Sequence, residues 1–149
     1  MERPVYGLQL VKNYVVDVED DIQLKGPAVA SEVGERVFSL SKQTEEIMAM
    51  IAVDNNLQPV GFFEVARGAL DEIISSPREI LKRAITCNAH GFFLLHNHNG
   101  SGECELSEED LAVFNCMKKA EEYIGIKCMD LIAVGEDGCT SSQQEMLKD

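Results

Sequence analysis

The stretch GFFLLHNHNGSGECELSEED, residues 91–110, joins an apolar run to two histidines, a glycine-rich segment and a helix start. GFFLL is typical of a strand that is buried on both faces of a sheet. The Ser-x-x-Asp at 107–110 is typical of a helix N-terminus, where a short polar side chain accepts a backbone N–H. The stretch therefore predicts a strand over residues 91–95, a loop over 99–106 and a helix over 107–125.

Outward from this stretch, the chain alternates helical and strand patterns from residue 27 onward. Helical spacing predicts a first helix over 27–40. Apolar runs on both sides of an Asp-Asn-Asn turn predict a β-hairpin over 45–53 and 57–65. Ser-Pro-Arg-Glu predicts a helix that begins with a capping box at Ser76 and ends near residue 88.

Two strand patterns complete the predicted order of elements. CMDLIAV at 128–134 reads as a second buried strand, closed by Gly135. Residues 6–18 are rich in Val and Tyr and alternate loosely, which predicts extended structure and an edge strand. The order from residue 27 is α-β-β-α-β-α-β, which indicates an α/β domain of two or three layers.

Length and composition indicate a single globular domain over residues 1–149, with an extended segment at 1–26 and a core at 27–149. A net charge of −13 disfavours nucleic-acid binding, because an acidic surface repels phosphate. Five cysteines without a CxxC spacing indicate reduced thiols, and no long apolar segment is present near the N-terminus. We therefore expect a cytoplasmic protein that has no membrane span.

The two histidines raise the question of a metal site. Side chains at positions i and i+2 of a strand point to one side, so His96 and His98 project together if strand geometry continues through Asn97. Asp110 falls in the first turn of the next helix, close to the loop that leaves His98. Two histidines, one carboxylate and an open position form a catalytic zinc site. Glu64, which stands inside the apolar run GFFEV, is then the candidate general base.

Each of these features also has an ordinary structural explanation. A His-x-His at a strand end is more often a pair of polar residues that ends the strand than a pair of metal ligands. The Ser-x-x-Asp at 107–110 is most often a helix cap alone. Glu64 can lie on the solvent side of a half-buried strand, and Cys104 can be an incidental loop thiol rather than a ligand. Glu108 and Glu109 remain open as competitors of Asp110.

The chain resembles the RadC-like branch of the JAB/MPN (JAMM-motif) family. Three stretches carry the resemblance: SSPREILKRAITCNAHGFFLLHNHNGSG, LSEED and MDLIAVG. The resemblance implies a cytidine-deaminase-like α/β/α sandwich with a mixed central sheet. It implies a Zn²⁺ held by His96, His98 and Asp110. It also implies that Glu64 activates the attacking water and that Ser107 supports the oxyanion. The implied activity is that of a metallopeptidase or isopeptidase acting on a peptide or protein substrate.

The sequence departs from the family pattern in several places. The proline that usually follows His-Asn-His is replaced by Asn99, and the loop to Ser107 is one residue longer. Leu-Asp-His is replaced by Met-Asp-Leu at 129–131. The helix-hairpin-helix region that the family carries before this domain is not part of this sequence, so we expect a short form of the family.

These departures leave two rivals to the hydrolase. One is a non-catalytic JAB domain that binds protein or DNA, the latter suggested by the inherited name "DNA repair protein". The other is a metal-dependent nuclease that would use the same ligands. The sequence leaves open whether the chain also forms a homodimer.

Overall fold

The computed structural model describes residues 1–68, 76–98 and 104–147. In that part of the chain there are four α-helices and a short 3₁₀ turn at Leu40–Lys42. The helices are α1 (Pro27–Phe38), α2 (Pro77–Thr86), α3 (Glu108–Ile124) and α4 (Ser142–Met146). The strands are β1 (Ile47–Val53), β2 (Pro59–Arg67), β3 (Gly91–Asn97), β4 (Lys127–Gly135) and β5 (Gly138–Ser141).

The five strands form one mixed sheet in the order β2-β1-β3-β4-β5. β3 and β4 run parallel, and the other neighbouring pairs run antiparallel. Every residue of β1 and β3 is buried, as expected for central strands with apolar side chains on both faces. Since β1 runs antiparallel to β3, the start of β1 lies beside the end of β3 that carries His96.

Helices cover the sheet on both faces, so the domain has three layers. On one face, the α2–α3 face, Met50, Leu94 and Leu131 pack with Ile80 and Phe114. On the other, the α1 face, an apolar cluster combines residues of α1 and of the sheet: Ala30, Val33, Ile51, Phe93, Leu95 and Ile132. The predicted α/β/α sandwich with a mixed central sheet is confirmed.

A glycine sets the distance between α1 and the strand that carries the histidines. A Cβ added at Gly34 would lie 2.6 Å from Cδ2 of Leu95, the neighbour of His96. A larger side chain at this position would require the Leu95 side chain to move, so Gly34 lets the backbone of α1 lie against the Leu95 side chain.

Three sequence predictions need correction. Residues 6–18 form no strand: they pair with no strand of the described sheet, and most of their large side chains are exposed. The N-cap residue of α2 is Ser76, but its side chain makes no capping hydrogen bond, because the Glu79 N–H donates to the Ser76 carbonyl instead. The Glu79 side chain pairs with Lys82 and Arg83, so the reciprocal half of the capping box is not formed either. The prediction also missed β5 and α4, which follow the turn after Gly135.

Other parts of the prediction are confirmed with shifts of one or two residues, among them the hairpin and the buried strands. Most of the predicted loop at 99–106, including Asn99, lies outside the described residues. No helix among the described residues is both long and apolar enough to cross a bilayer. All five cysteines are free thiols.

Candidate functional site

The end of β3 places two imidazole rings next to each other. His96 lies between Met48 of β1 and Ala133 of β4, and only 1% of its surface is exposed. His98 follows the last residue of the strand, and its side chain is 23% exposed. The ring centroids are 4.4 Å apart in an edge-on arrangement. One ring is thus fixed inside the sheet, and the other lies at its rim.

Asp110 reaches both rings from the first turn of α3. Its Oδ1 is 3.0 Å from Nδ1 of His96, and its Oδ2 is 3.0 Å from Nε2 of His98. Ser107 fixes the carboxylate by a capping box, in which the Ser107 N–H donates to Oδ2 and the Asp110 N–H donates to the Ser107 hydroxyl. The cap that starts the helix therefore also aims this carboxylate at the histidines.

This environment favours the ionised form of Asp110. Burial alone would raise the pKa of Asp110, but hydrogen bonds from His96 and His98 outweigh burial and hold it well below its ordinary value. The same contact raises the pKa of His98, since Asp110 stabilises its protonated ring. A fixed negative charge thus lies between two nitrogen donors.

His96, His98 and Asp110 form a group that could hold a metal ion. Each side chain offers one ligand atom, and these three atoms lie within 4.8 Å of one another. The second nitrogen of His96, Nε2, is buried and has no hydrogen-bond partner among the described residues. A buried donor or acceptor without a partner is costly, and a cation would satisfy it. Two imidazoles and a carboxylate are the ligand set that Zn²⁺ takes in catalytic sites, so the residues fit that ion.

A glutamate lies close to this nitrogen, and it is not the one that the sequence suggested. Oε2 of Glu46 is 3.9 Å from Nε2 of His96, and the Glu46 side chain is 28% exposed. Glu46 immediately precedes β1, whose start lies beside the end of β3. A carboxylate at this position is close to the histidines and still open to solvent.

Asn97, between the two histidines, holds the backbone on either side of Glu46. Its Oδ1 accepts the N–H of Ile47 at 2.6 Å, and its Nδ2 donates to the carbonyl of Glu45 at 3.0 Å. The carbonyl of Glu46 itself accepts the N–H of Gly68, 2.9 Å away. The middle residue of His-Asn-His therefore fixes the carboxylate relative to the two rings.

Glu64 lies elsewhere. It pairs across the sheet with Ala49, which belongs to the α1 face, whereas His96 pairs with Met48 on the α2–α3 face. Its side chain is 42% exposed and bonded to Arg67 by a short ion pair. The structure therefore does not bring Glu64 to the histidines.

The remaining candidates are also placed outside the group. Glu108 and Glu109 are exposed on the first turn of α3. The Cys104 thiol accepts a hydrogen bond from the Thr140 hydroxyl at 3.6 Å. Neither these two glutamates nor Cys104 contributes an atom to the convergent donors.

The comparison with known families agrees with this architecture. The family model of the RadC-like JAB domain matches residues 28–147, which include all the strands and helices except the first residue of α1. The chain belongs to the RadC-like JAB domain family.

Its relatives carry names that state no activity. A UPF0758 protein of Coprothermobacter proteolyticus is 30% identical over 143 residues, which are 95% of this chain and 59% of that protein. A UPF0758 protein of Vibrio cholerae is 32% identical over 108 residues, 72% of this chain and 68% of its own length. One from Actinobacillus pleuropneumoniae is 30% identical over 49% of its length. The chain thus spans about half to two thirds of these relatives.

Sequence reasoning overlooked Glu46, although a signal for it was present. Glu45 and Glu46 directly precede the apolar run of β1, at the same end of the sheet as His96 once β1 and β3 pair antiparallel. The sequence shows neither that pairing nor which face each side chain takes.

Proposed function

We propose that this RadC-like JAB domain is a zinc-dependent hydrolase of the metallopeptidase or isopeptidase type. The observation that carries the proposal is the buried, unpartnered Nε2 of His96, which lies beside the Glu46 carboxylate and close to His98 and Asp110. A buried nitrogen without a hydrogen-bond partner is costly, and a bound cation would remove that cost. His96, His98 and Asp110 would hold the ion.

A bound zinc ion supplies Lewis acidity, which lowers the pKa of a coordinated water to about 7 and polarises a carbonyl oxygen. The residues of the chain perform the proton transfers. Glu46 accepts the proton of the attacking water and delivers it to the leaving amine. Asn97 keeps the Glu46 backbone in place during this transfer through its two hydrogen bonds.

Ser107 is proposed to stabilise the charge that develops on the carbonyl oxygen. Its hydroxyl oxygen already accepts the N–H of Asp110 at 3.1 Å, which fixes the position of the group. The hydroxyl proton remains available for donation to a developing oxyanion. Ser107 thus combines a structural role as the helix cap with a catalytic one.

The substrate class is proposed from charge and fold. A net charge of −13 favours peptide or protein substrates over nucleic acids, since an acidic surface repels phosphate. One observation supports a non-catalytic alternative: Asp110 is hydrogen-bonded to both rings, so the cluster can also act as a structural brace.

The experiment that tests the proposal is hydrolysis of peptide and isopeptide substrates by the zinc-loaded chain, with Glu46→Gln and Glu64→Gln compared. Loss of the general base in Glu46→Gln should lower kcat about 10²–10⁴-fold. Glu64→Gln is the matched control and should keep the wild-type rate. Both variants should bind as much zinc as the wild type.

Two outcomes would count against this function. If Glu46→Gln keeps full activity while Glu64→Gln loses it, the assignment of the base fails. If the zinc-loaded wild type cleaves none of the substrates, the non-catalytic alternative becomes the better account.

A further inference from the structure

Residues 5–18, here called the N-terminal arm, have the side-chain pattern of an amphipathic strand. The odd positions combine four polar or small residues, Gly7, Gln9, Asn13 and Asp17, with valines at 5, 11 and 15. The even positions are apolar with one exception, Lys12, and comprise Tyr6, Leu8, Leu10, Tyr14, Val16 and Val18. A period of two with one apolar face is typical of a strand that covers a surface on one side.

The apolar side chains of the arm contact their own domain only at the C-terminal end of the arm. Val18 packs against the α1-face cluster, and Val16 is half-buried. Further towards the N-terminus, Tyr14 is 70%, Leu8 89% and Tyr6 85% exposed. Soluble monomers rarely expose a contiguous row of large apolar side chains, and such rows mark interaction surfaces.

The domain offers a strand edge that such an arm can extend. β2 is the edge strand of the described sheet, it is nine residues long, and its only strand neighbour there is β1. Val60 of β2 is 53% exposed. An edge of this length presents unpaired backbone N–H and C=O groups to a further strand.

The root of the arm lies next to the start of that edge strand. The N–H of Leu24 donates to the carbonyl of Leu57 at 2.8 Å, and the Gln23 side chain donates to the carbonyl of Asn56. Both acceptors belong to the turn between β1 and β2. Each copy of the chain therefore carries a β-prone arm close to β2, which is an edge strand of the described sheet.

We propose that two copies of this chain form a dimer by exchanging arms, with the arm of each copy paired as an added strand along β2 of the other. In the described part of its own copy the arm pairs with no strand, and β2 of a second copy offers the edge that it lacks. The exchange satisfies backbone groups on both edges and is the same for both copies.

The area that the exchange covers is sufficient for a stable contact. A buried tyrosine hides about 150–250 Å², so the four tyrosines of two arms hide on the order of 600–1,000 Å². The leucines and the paired backbone add to this and bring the total into the range of about 1,200–2,000 Å² found for specific interfaces. The net charge of −13 on each copy opposes association, so the contact should strengthen as salt increases to physiological levels.

The test is the mass of the full chain in solution, by light scattering and sedimentation velocity at physiological salt. The wild type should be a dimer. Leu8→Asp/Leu10→Asp, which places two charges on the apolar face, should be a monomer. Gln9→Asp/Val11→Asp places two charges on the opposite face of the same stretch and should remain a dimer. All these side chains lie outside the core, so each variant should melt as a folded domain.

A second measurement locates the arm. Mixing isotope-labelled and unlabelled chains should give intermolecular NMR contacts between the Leu8 and Leu10 methyl groups and the Phe62 ring of β2. A monomeric wild type would overturn the proposal, and so would a dimer that survives Leu8→Asp/Leu10→Asp. Contacts of the arm with β2 of its own chain, or of one arm with the other, would overturn it as well.

Discussion

Asp110 and Asp130 are two buried aspartates in the same small domain, and their environments shift the pKa of the carboxyl group in opposite directions. Each is at most 3% exposed, and each accepts a backbone N–H at the start of a helix, from Ser107 and from Gln143 respectively. The other partners of Asp110 are two imidazoles, whereas Asp130 accepts from the neutral hydroxyl of Ser141.

The pKa values of the two carboxyl groups show the consequence. The histidine contacts overcome burial and lower the pKa of Asp110, whereas burial raises the pKa of Asp130 because neutral donors do not compensate for it. Both aspartates brace a helix start, but only Asp110 keeps a charge next to nitrogen ligands. Burial of a carboxyl group therefore does not by itself indicate a metal site. The groups that contact the carboxyl group determine whether it keeps the charge that a metal ligand needs.

The largest expected difference between the two aspartates is in zinc affinity. Asp110→Asn replaces an anionic oxygen by a weak amide ligand, so we expect the affinity to fall by more than about 100-fold. Asp130→Asn is the matched control and should bind zinc as the wild type does. Competition with a chromophoric chelator measures both constants. Equal affinities of the two variants would remove Asp110 from the ligand set and leave its role as a helix brace.

The two aspartates also differ in how much the sequence revealed. Ser-x-x-Asp at 107–110 predicted a capped helix, and the structure contains that cap. Asp130 stands inside an apolar run that only predicted a strand. Its partners lie on β5 and α4, which the prediction missed because a four-residue strand and a five-residue helix carry almost no periodic signal. The Asp-Gly at 137–138 was a hairpin signal that went unused.

The position of Glu64 depended on a detail that no sequence pattern gives. Met48 pairs with His96 of β3 on one side and with Ala66 of β2 on the other. The next residue of β1, Ala49, pairs with Glu64, so Val65 is an extra residue of β2 without a partner in β1. An unbroken strand counted from Ala66 would have put Glu64 on the face of His96. The β-bulge moves it to the opposite face.

Residues 6–18 show the reverse limitation. Their loose alternation predicted a strand, but a strand also requires a neighbour, and no strand of the described sheet pairs with them. By contrast, β1 and β3 were predictable because continuous apolar runs in the middle of a chain are buried wherever the sheet forms.

A smaller difference is expected in how stability depends on pH. Because its folded-state pKa is raised, Asp130 contributes stability below the ordinary pKa of aspartate, near 3.9, and that contribution is lost as pH rises through the raised value. Asp130→Asn does not titrate. The free energy of unfolding of the wild type, relative to Asp130→Asn, should therefore decrease as pH rises above about 4.

Urea unfolding of both proteins at a series of pH values measures this difference. Taking the difference between two chains that are otherwise identical removes the effect of all other titrating groups. A difference that stays constant with pH would show that the neutral donors around Asp130 fully compensate for its burial, and the contrast with Asp110 would disappear.

Whether His96, His98 and Asp110 form a zinc site is decided by the metal content of the chain purified without added metal or chelator. His96→Ala/His98→Ala and the control His90→Ala, at the far end of β3, are purified alongside. We expect one zinc per chain in the wild type and in His90→Ala, and none in the double variant, with all three folded. A wild type that binds no zinc even when zinc is supplied, or a double variant that keeps it, would show that these residues do not form a zinc site.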